Sequence, residues 1–213
     1  MTTKKWVLLS LSAVPIVLAG CDSENLGEVQ EATTEIERIT DEAVADINQL
    51  AQTETELQKL FSETLETDEE LATLQDESSP VFENITAREE ILADLEAVEN
   101  DMEAQQEILA TYDGESLDQE QIQGVDTVVD DFEESLSTYV DSYYQTLEGE
   151  REFFAEISDE EATYDDFVNG IETLNEERES LREPLMNLDE ILVDLDERLS
   201  ELQSSIETEL SEE

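Results

Sequence analysis

Residues 167–206 read FVNGIETLNEERESLREPLMNLDEILVDLDERLSELQSSI, and their apolar residues fall into two series that each repeat every seven positions. Acidic or polar residues fill most of the positions between the two series. A narrow apolar seam with this repeat is typical of an α-helix packed as in a coiled coil. The two series are Phe167, Leu174, Leu181, Leu188, Leu195 and Leu202, and Ile171, Arg178, Leu185, Leu192, Leu199 and Ile206, among which Arg178 is the one charged residue.

This helix is predicted to span residues 164–211. Thr163 followed by Asp166 is a capping pattern, in which the two residues can satisfy backbone N–H groups at the start of a helix. Pro184 lies inside the seam, where its ring displaces one backbone hydrogen bond. We therefore expect a kink near Leu181.

Similar patterns predict three earlier helices, at residues 28–77, 86–112 and 117–157. The first carries a seven-residue repeat that begins at Val29 and reaches Leu71, and Pro80 with the two serines before it is expected to end that helix. The starts of the second and third are marked by capping patterns, Thr86 with Glu89 and Ser116 with Gln119.

Four helices joined by short connections predict an all-α fold, an elongated up-and-down bundle with coiled-coil-like packing. The first and last helices have similar lengths, so we expect them to pair along much of their length. An even number of passes would return the C-terminus to the end of the bundle where the first helix begins. The high charge leaves a disordered chain as the alternative, against which the sustained repeats argue.

The N-terminus has the layout of a secretory signal peptide over residues 1–20: two lysines, an apolar run from Trp6 to Leu18, and two small residues. The apolar run is too short to span a membrane. Residues 18–21 read LAGC, which resembles the bacterial lipobox, so we predict cleavage between Gly20 and Cys21 and a lipid on the Cys21 thiol. Ordinary secretion with a free thiol is the alternative. Residues 21–27 would form a lipidated tether, and residues 28–213 the helical domain.

Composition excludes several functions. All 61 acidic residues and seven of the nine basic ones follow Cys21, so the mature chain carries a net charge of −54, which repels nucleic acid and anionic lipid surfaces. Membrane attachment would therefore depend on the lipid. The chain has no histidine and one cysteine, which excludes the usual zinc sites and catalytic triads. No EF-hand pattern occurs. We expect no cofactor, no metal site and no enzymatic activity, although paired carboxylates leave a glycosidase chemically conceivable.

Aromatic side chains could bind glycan, because sugars stack on exposed rings. Most of the tyrosines and phenylalanines in the third predicted helix lie on its apolar stripe and are assigned to the core. Tyr144 lies off that stripe and is the candidate ligand contact.

With the lipobox and the helices assigned, the chain resembles the YkyA-type cell-wall binding lipoproteins of low-GC Gram-positive bacteria. The resemblance rests best on residues 147–154 (LEGEREFF), followed by a short break and a helix carrying Ile171, Leu174 and Asn175. It implies a helical bundle and no catalytic residues. The chain departs from this family in having a single lysine after Cys21, a composition better explained by a saline habitat, where salt screens the repulsion between carboxylates.

Two functions follow as hypotheses. The first is a non-catalytic structural lipoprotein on the extracellular face of the membrane that contacts cell-wall glycan or an envelope protein. The second is a scaffold that docks a protein partner through coiled-coil contacts of its last helix. A solute-binding lipoprotein is disfavoured, because the alternating strands and helices of that class are missing.

Overall fold

The seven-residue repeat of the first helix is buried in the computed structural model, which describes residues 25–212. Val29, Ile36, Ala43 and Leu50 have essentially no exposed surface. The described residues form six helices and no strand, so the all-α prediction is confirmed. The helices are α1 (Leu26–Thr67), α2 (Ala72–Gln75), α3 (Pro80–Ala110), α4 (Gln119–Ile157), α5 (Tyr164–Ser180) and α6 (Arg182–Glu212).

Four passes run up and down along the bundle: α1, then α3, then α4, then α5 and α6 together. The end of α1 meets the start of α3, where the side-chain oxygens of Thr64 and Ser79 lie 2.8 Å apart in a buried hydrogen bond. The last pass returns to the start of the bundle, where Gln203 Nε2 donates to Glu37 Oε2 at 3.1 Å. At the standard rise, the 42 residues of α1 make the bundle about 63 Å long.

The predicted pairing of the first and last helices along much of their length is wrong. The principal partner of α1 is α3, whereas α5 and α6 pack mainly on α4, and α6 touches α1 less extensively. The broad apolar stripe of α4, with thirteen buried apolar residues, explains this arrangement because it can cover two neighbours at once. The narrow apolar seam of α5 and α6 therefore packs mainly against α4.

The first helix ends at Thr67 and not at Glu77 as predicted, because the chain breaks into a short capped turn. Asp68 Oδ2 accepts hydrogen bonds from Thr73 N and Thr73 Oγ1, both at 2.7 Å, and these bonds lower the pKa of Asp68. Leu71 (φ 53°) and Glu77 (φ 59°) take the left-handed conformation that non-glycine residues rarely adopt. Leu74 is buried in the short helix α2, as it would be if α1 continued to Glu77. The apolar repeat alone therefore did not reveal the break.

The start of α3 also differs from its prediction. The helix begins at Pro80 and not at Thr86. Ser79 is the N-cap, with its side chain accepting from Val81 N, and proline suits the first helical position because its missing N–H would have no partner there. Thr86 therefore lies inside α3. The N-cap of α4 is Asp118 and not Ser116. The first helix starts two residues before its predicted start at Glu28.

The start and the interruption of the last pass, α5 and α6, lie where the sequence predicted them. Thr163 and Asp166 form a capping box at the start of α5, as predicted. The helix is interrupted at Leu181, three residues before Pro184, which is where the kink was expected. The predicted signal peptide and lipidation site, with Gly20 and Cys21, lie outside the described residues.

Candidate functional site

The interior of the bundle contains a buried ion pair between α3 and α4. The side chains of Arg88 and Glu150 are both fully buried. Arg88 Nη1 donates to Glu150 Oε1 at 3.3 Å, and Arg88 Nη2 donates to Glu150 Oε2. Burial lowers the pKa of Arg88, but the hydrogen bonds and negative charge of Glu150 more than offset it and leave that pKa above its usual value.

Three more side chains extend this pair across the bundle. Arg178 Nη2, on α5, donates to Glu150 Oε1 at 2.9 Å, and Arg178 Nε lies 3.2 Å from Glu54 Oε1 on α1. Tyr143 Oη donates to Glu54 Oε2 at 2.8 Å, and burial raises the pKa of Tyr143 far above its usual range, so the hydroxyl keeps its proton. We call Glu54, Arg88, Tyr143, Glu150 and Arg178 the buried network. Its two cations balance its two carboxylates and it joins four helices.

Within the buried network, Arg88 and Glu150 expose nothing to solvent, whereas the side chains of Arg178 and Glu54 are 36 % and 25 % exposed. Sequence reasoning assigned Tyr143 to the core and found Arg178 in the seam, but it missed Glu54, Arg88 and Glu150. An arginine at a seam position was the available signal, since a charge there needs a counter-charge on a neighbouring helix.

A second group of ionisable side chains lies between α3 and α4, around Glu133. Burial raises the pKa of Glu133 to about 7, and the neighbouring carboxylates add to this shift. Those neighbours are Asp130, Glu99, Glu103 and Asp126. Within residues 25–212, no three His, Cys, Asp or Glu side chains converge in a way that could hold a metal ion.

The candidate ligand contact Tyr144 is only half-buried, with its ring packed against the core. Its hydroxyl lies 3.5 Å from Glu96 Oε2, and burial raises its pKa. Sequence reasoning missed Tyr164, the first residue of α5, whose surface is 78 % exposed. Tyr164 lies at the end of the bundle remote from the start of α1, which we call the distal end.

Packed phenylalanine rings underlie the distal end. The ring centroids of Phe153 and Phe154 are 5.2 Å apart, and those of Phe61 and Phe154 are 5.3 Å apart. Gly170 lets α5 approach α4 closely here, because a Cβ at this position would lie 2.4 Å from the Phe153 ring. Tyr164 is thus carried on a well-packed support.

An apolar groove with a cavity volume of about 400 Å³ opens between α1 and α6, and we call it the α1–α6 groove. Leu185 and Met186 on its α6 side are 42 % and 54 % exposed. Asp189 is the one carboxylate among the residues that line it. The lining residues are Val44, Ile47, Asn48, Ala51, Tyr139, Leu185, Met186, Leu188, Asp189 and Leu192.

Among known families, the chain matches a family model described as "Putative cell-wall binding lipoprotein" (YkyA) over residues 24–205. The chain belongs to the YkyA family. This confirms the resemblance proposed from the sequence. No curated protein and no solved structure matches the chain.

The residues that suggested the YkyA family have a structural role in the bundle. In residues 147–154, Glu150 belongs to the buried network, and Phe153 and Phe154 form part of the packed distal end. Arg151 pairs with Glu89 on α3, with 2.8 Å between Nη2 and Oε2. No helix of residues 25–212 combines the length and the apolar character that crossing a bilayer requires.

Proposed function

We propose that the protein is a non-catalytic structural lipoprotein, anchored by a lipid on Cys21 to the extracellular face of the membrane, whose bundle contacts cell-wall glycan. The observation that carries this proposal is the match to a family of cell-wall binding lipoproteins over nearly all of the bundle. The interior supports the non-catalytic part, because its fully buried charged side chains, Arg88 and Glu150, neutralise one another and are closed to solvent.

The position of the anchor gives the bundle an orientation. Four residues, 22–25, separate Cys21 from Leu26, where α1 begins. These residues can span at most roughly 14 Å, so the start of α1 stays near the membrane and the distal end can reach up to about 63 Å outward. A wall ligand would therefore meet the distal end first.

Tyr164 is the contact that we propose at the distal end. Its exposed phenol ring offers a face on which a sugar can stack, while the adjacent capping box holds the start of α5 in place. Tyr144 remains the second candidate, with part of its ring available and its hydroxyl directed at Glu96.

Charge favours glycan over anionic wall polymers as the ligand. With a net charge of −54 after Cys21, the bundle is repelled by phosphate-bearing chains at low salt. Neutral sugar rings suffer no such repulsion. We therefore expect removal of teichoic acids from isolated wall to increase binding.

The test uses the mature chain without its lipid and purified sacculi, with and without chemical removal of teichoic acids. Sedimented protein should rise several-fold after removal, Tyr164→Ala should lower it, and Val193→Ala, an exposed position away from the distal end, should leave it unchanged. A loss with Tyr144→Ala and not with Tyr164→Ala would move the contact to Tyr144. Absence of sedimentation with either wall preparation would refute wall binding.

A second candidate function is protein docking through the last pass of the bundle. The α1–α6 groove favours it, because exposed apolar side chains flanked by carboxylate-rich helices are unusual on so acidic a surface. This function needs no wall contact and can be tested separately.

A further inference from the structure

The α1–α6 groove differs chemically from two other clefts of the described bundle. A cleft between α4 and α6 is lined by Asp131, Glu134, Glu190 and Asp194, and one between α3 and α4 by Glu96, Glu99, Glu133 and Asp141. The α1–α6 groove instead presents aliphatic side chains and the edge of Tyr139, with one carboxylate. Its exposed surface is therefore suited to an apolar side chain.

Polar contacts between α1 and the last pass lie on both sides of the groove. Toward the distal end, Arg178 pairs with Glu54, and toward the start of α1, Gln203 donates to Glu37. Between these contacts the interruption at Leu181 and the proline at Pro184 redirect the last pass. The residues of α1 that line the groove run from Val44 to Ala51, a rise of about 10 Å or two turns, which matches two turns of a docked helix.

We infer that the α1–α6 groove docks a helical segment of a partner protein, with apolar residues along one face and lysines or arginines flanking them. The groove supplies apolar contacts, and the net charge of −54 on the chain after Cys21 attracts cations. A second copy of this chain is disfavoured as the occupant, because it would bring the same negative charge into contact. This inference rests on the protein-docking function and is independent of wall binding.

The probe is a synthetic helical peptide of about 18 residues, with leucines at helical spacing on one face, lysines on the other, and one tryptophan. The mature chain lacks tryptophan, since Trp6 lies in the signal peptide, so peptide fluorescence reports binding without background. A second peptide of the same composition in scrambled order keeps the charge and loses the apolar face. Titrations at about 0.5 M sodium chloride suppress attraction that depends on charge alone.

Met186→Lys is the variant that tests the groove, and Val193→Lys is its matched control. Both residues are exposed apolar side chains on α6, at 54 % and 65 %, but Val193 does not line the groove. We expect Met186→Lys to weaken binding of the amphipathic peptide at least about tenfold, or about 1.4 kcal/mol. Val193→Lys should change it less than about twofold. Circular dichroism melts of both variants should match the parent, because neither side chain is buried.

The outcomes separate the groove from the wider docking function. Equal binding of parent and Met186→Lys would overturn the groove assignment while leaving docking at another surface. Equal binding of the scrambled peptide, or no binding of the amphipathic one, would overturn both. Concentration-dependent dimerisation that Met186→Lys abolishes, measured by sedimentation, would make a second copy the occupant and refute the partner proposal. Sacculus binding should be the same for all these variants.

Discussion

Breaking the buried network is expected to destabilise the bundle strongly, and by different amounts according to which partner is removed. Removing one member of a buried ion pair typically costs about 3–5 kcal/mol, because the other charge is left in a poorly solvated interior. Glu150 accepts from both Arg88 and Arg178. Glu150→Leu should therefore cost more than Arg88→Met, after which Arg178 still neutralises Glu150.

We expect Arg88→Met to cost about 3 kcal/mol, and Glu150→Leu about 4–5 kcal/mol. For a chain of this size, 1 kcal/mol shifts Tm by about 2–4 °C, so Arg88→Met should lower Tm by about 6–12 °C. The double variant replaces the pair by apolar side chains of similar volume and leaves Arg178 with Glu54. It should lose about 2 kcal/mol or less, giving a coupling of several kcal/mol between the two sites.

Urea and thermal denaturation followed by circular dichroism measure these free energies of unfolding. Arg182→Met is the matched control, because the pair of Arg182 with Glu179 is exposed and should contribute under about 1 kcal/mol. Additive effects in the double variant would refute the reasoning, since two independent sites show no coupling. So would a loss in Arg88→Met no larger than that in Arg182→Met.

Three further predictions concern the anchor, Glu133 and salt. Cys21→Ser should abolish incorporation of labelled fatty acid and either release the protein or leave an uncleaved precursor; label retained in the variant would contradict the lipid assignment. Because the pKa of Glu133 is raised to about 7 from 4.5, the folded state holds a proton that the unfolded chain releases. That stabilisation is complete below about pH 4.5 and is lost as pH rises through about 7. Glu133→Gln should therefore raise Tm at pH 8 and reduce the fall in Tm between pH 5 and 8. A parallel pH profile for parent and variant would exclude this role for Glu133. Stability should also rise between about 0.01 and 1 M sodium chloride, because the Debye length falls from about 30 to 3 Å. Potassium chloride should have the same effect. A flat response, or a marked difference between the two salts, would show that simple screening does not govern the repulsion between carboxylates.

The candidate sites were only partly predictable from the sequence. Arg178 was visible as an irregularity in an apolar seam, but its partners Glu54 and Glu150 lie on helices distant in the chain. Tyr144 stood out because it lies off the stripe of α4, yet its ring packs partly against the core, whereas Tyr164 is far more exposed. The exposure of a ring depends on the neighbouring helices, and a helical repeat describes only one helix.

The sequence by itself determined that this chain is helical, since a repeat of apolar residues matched to the helical turn is a local property of each segment. It also determined the capping box at Thr163 and the interruption near Leu181, because both arise from backbone hydrogen bonds within a few residues. Only the tertiary structure decided that α1 pairs mainly with α3, that the chain turns at Leu71, and that four helices share one neutral charge network. These features depend on contacts between segments far apart in the chain. The energy of such a contact balances the burial of side chains against the desolvation of their charges, and no single segment reveals that balance.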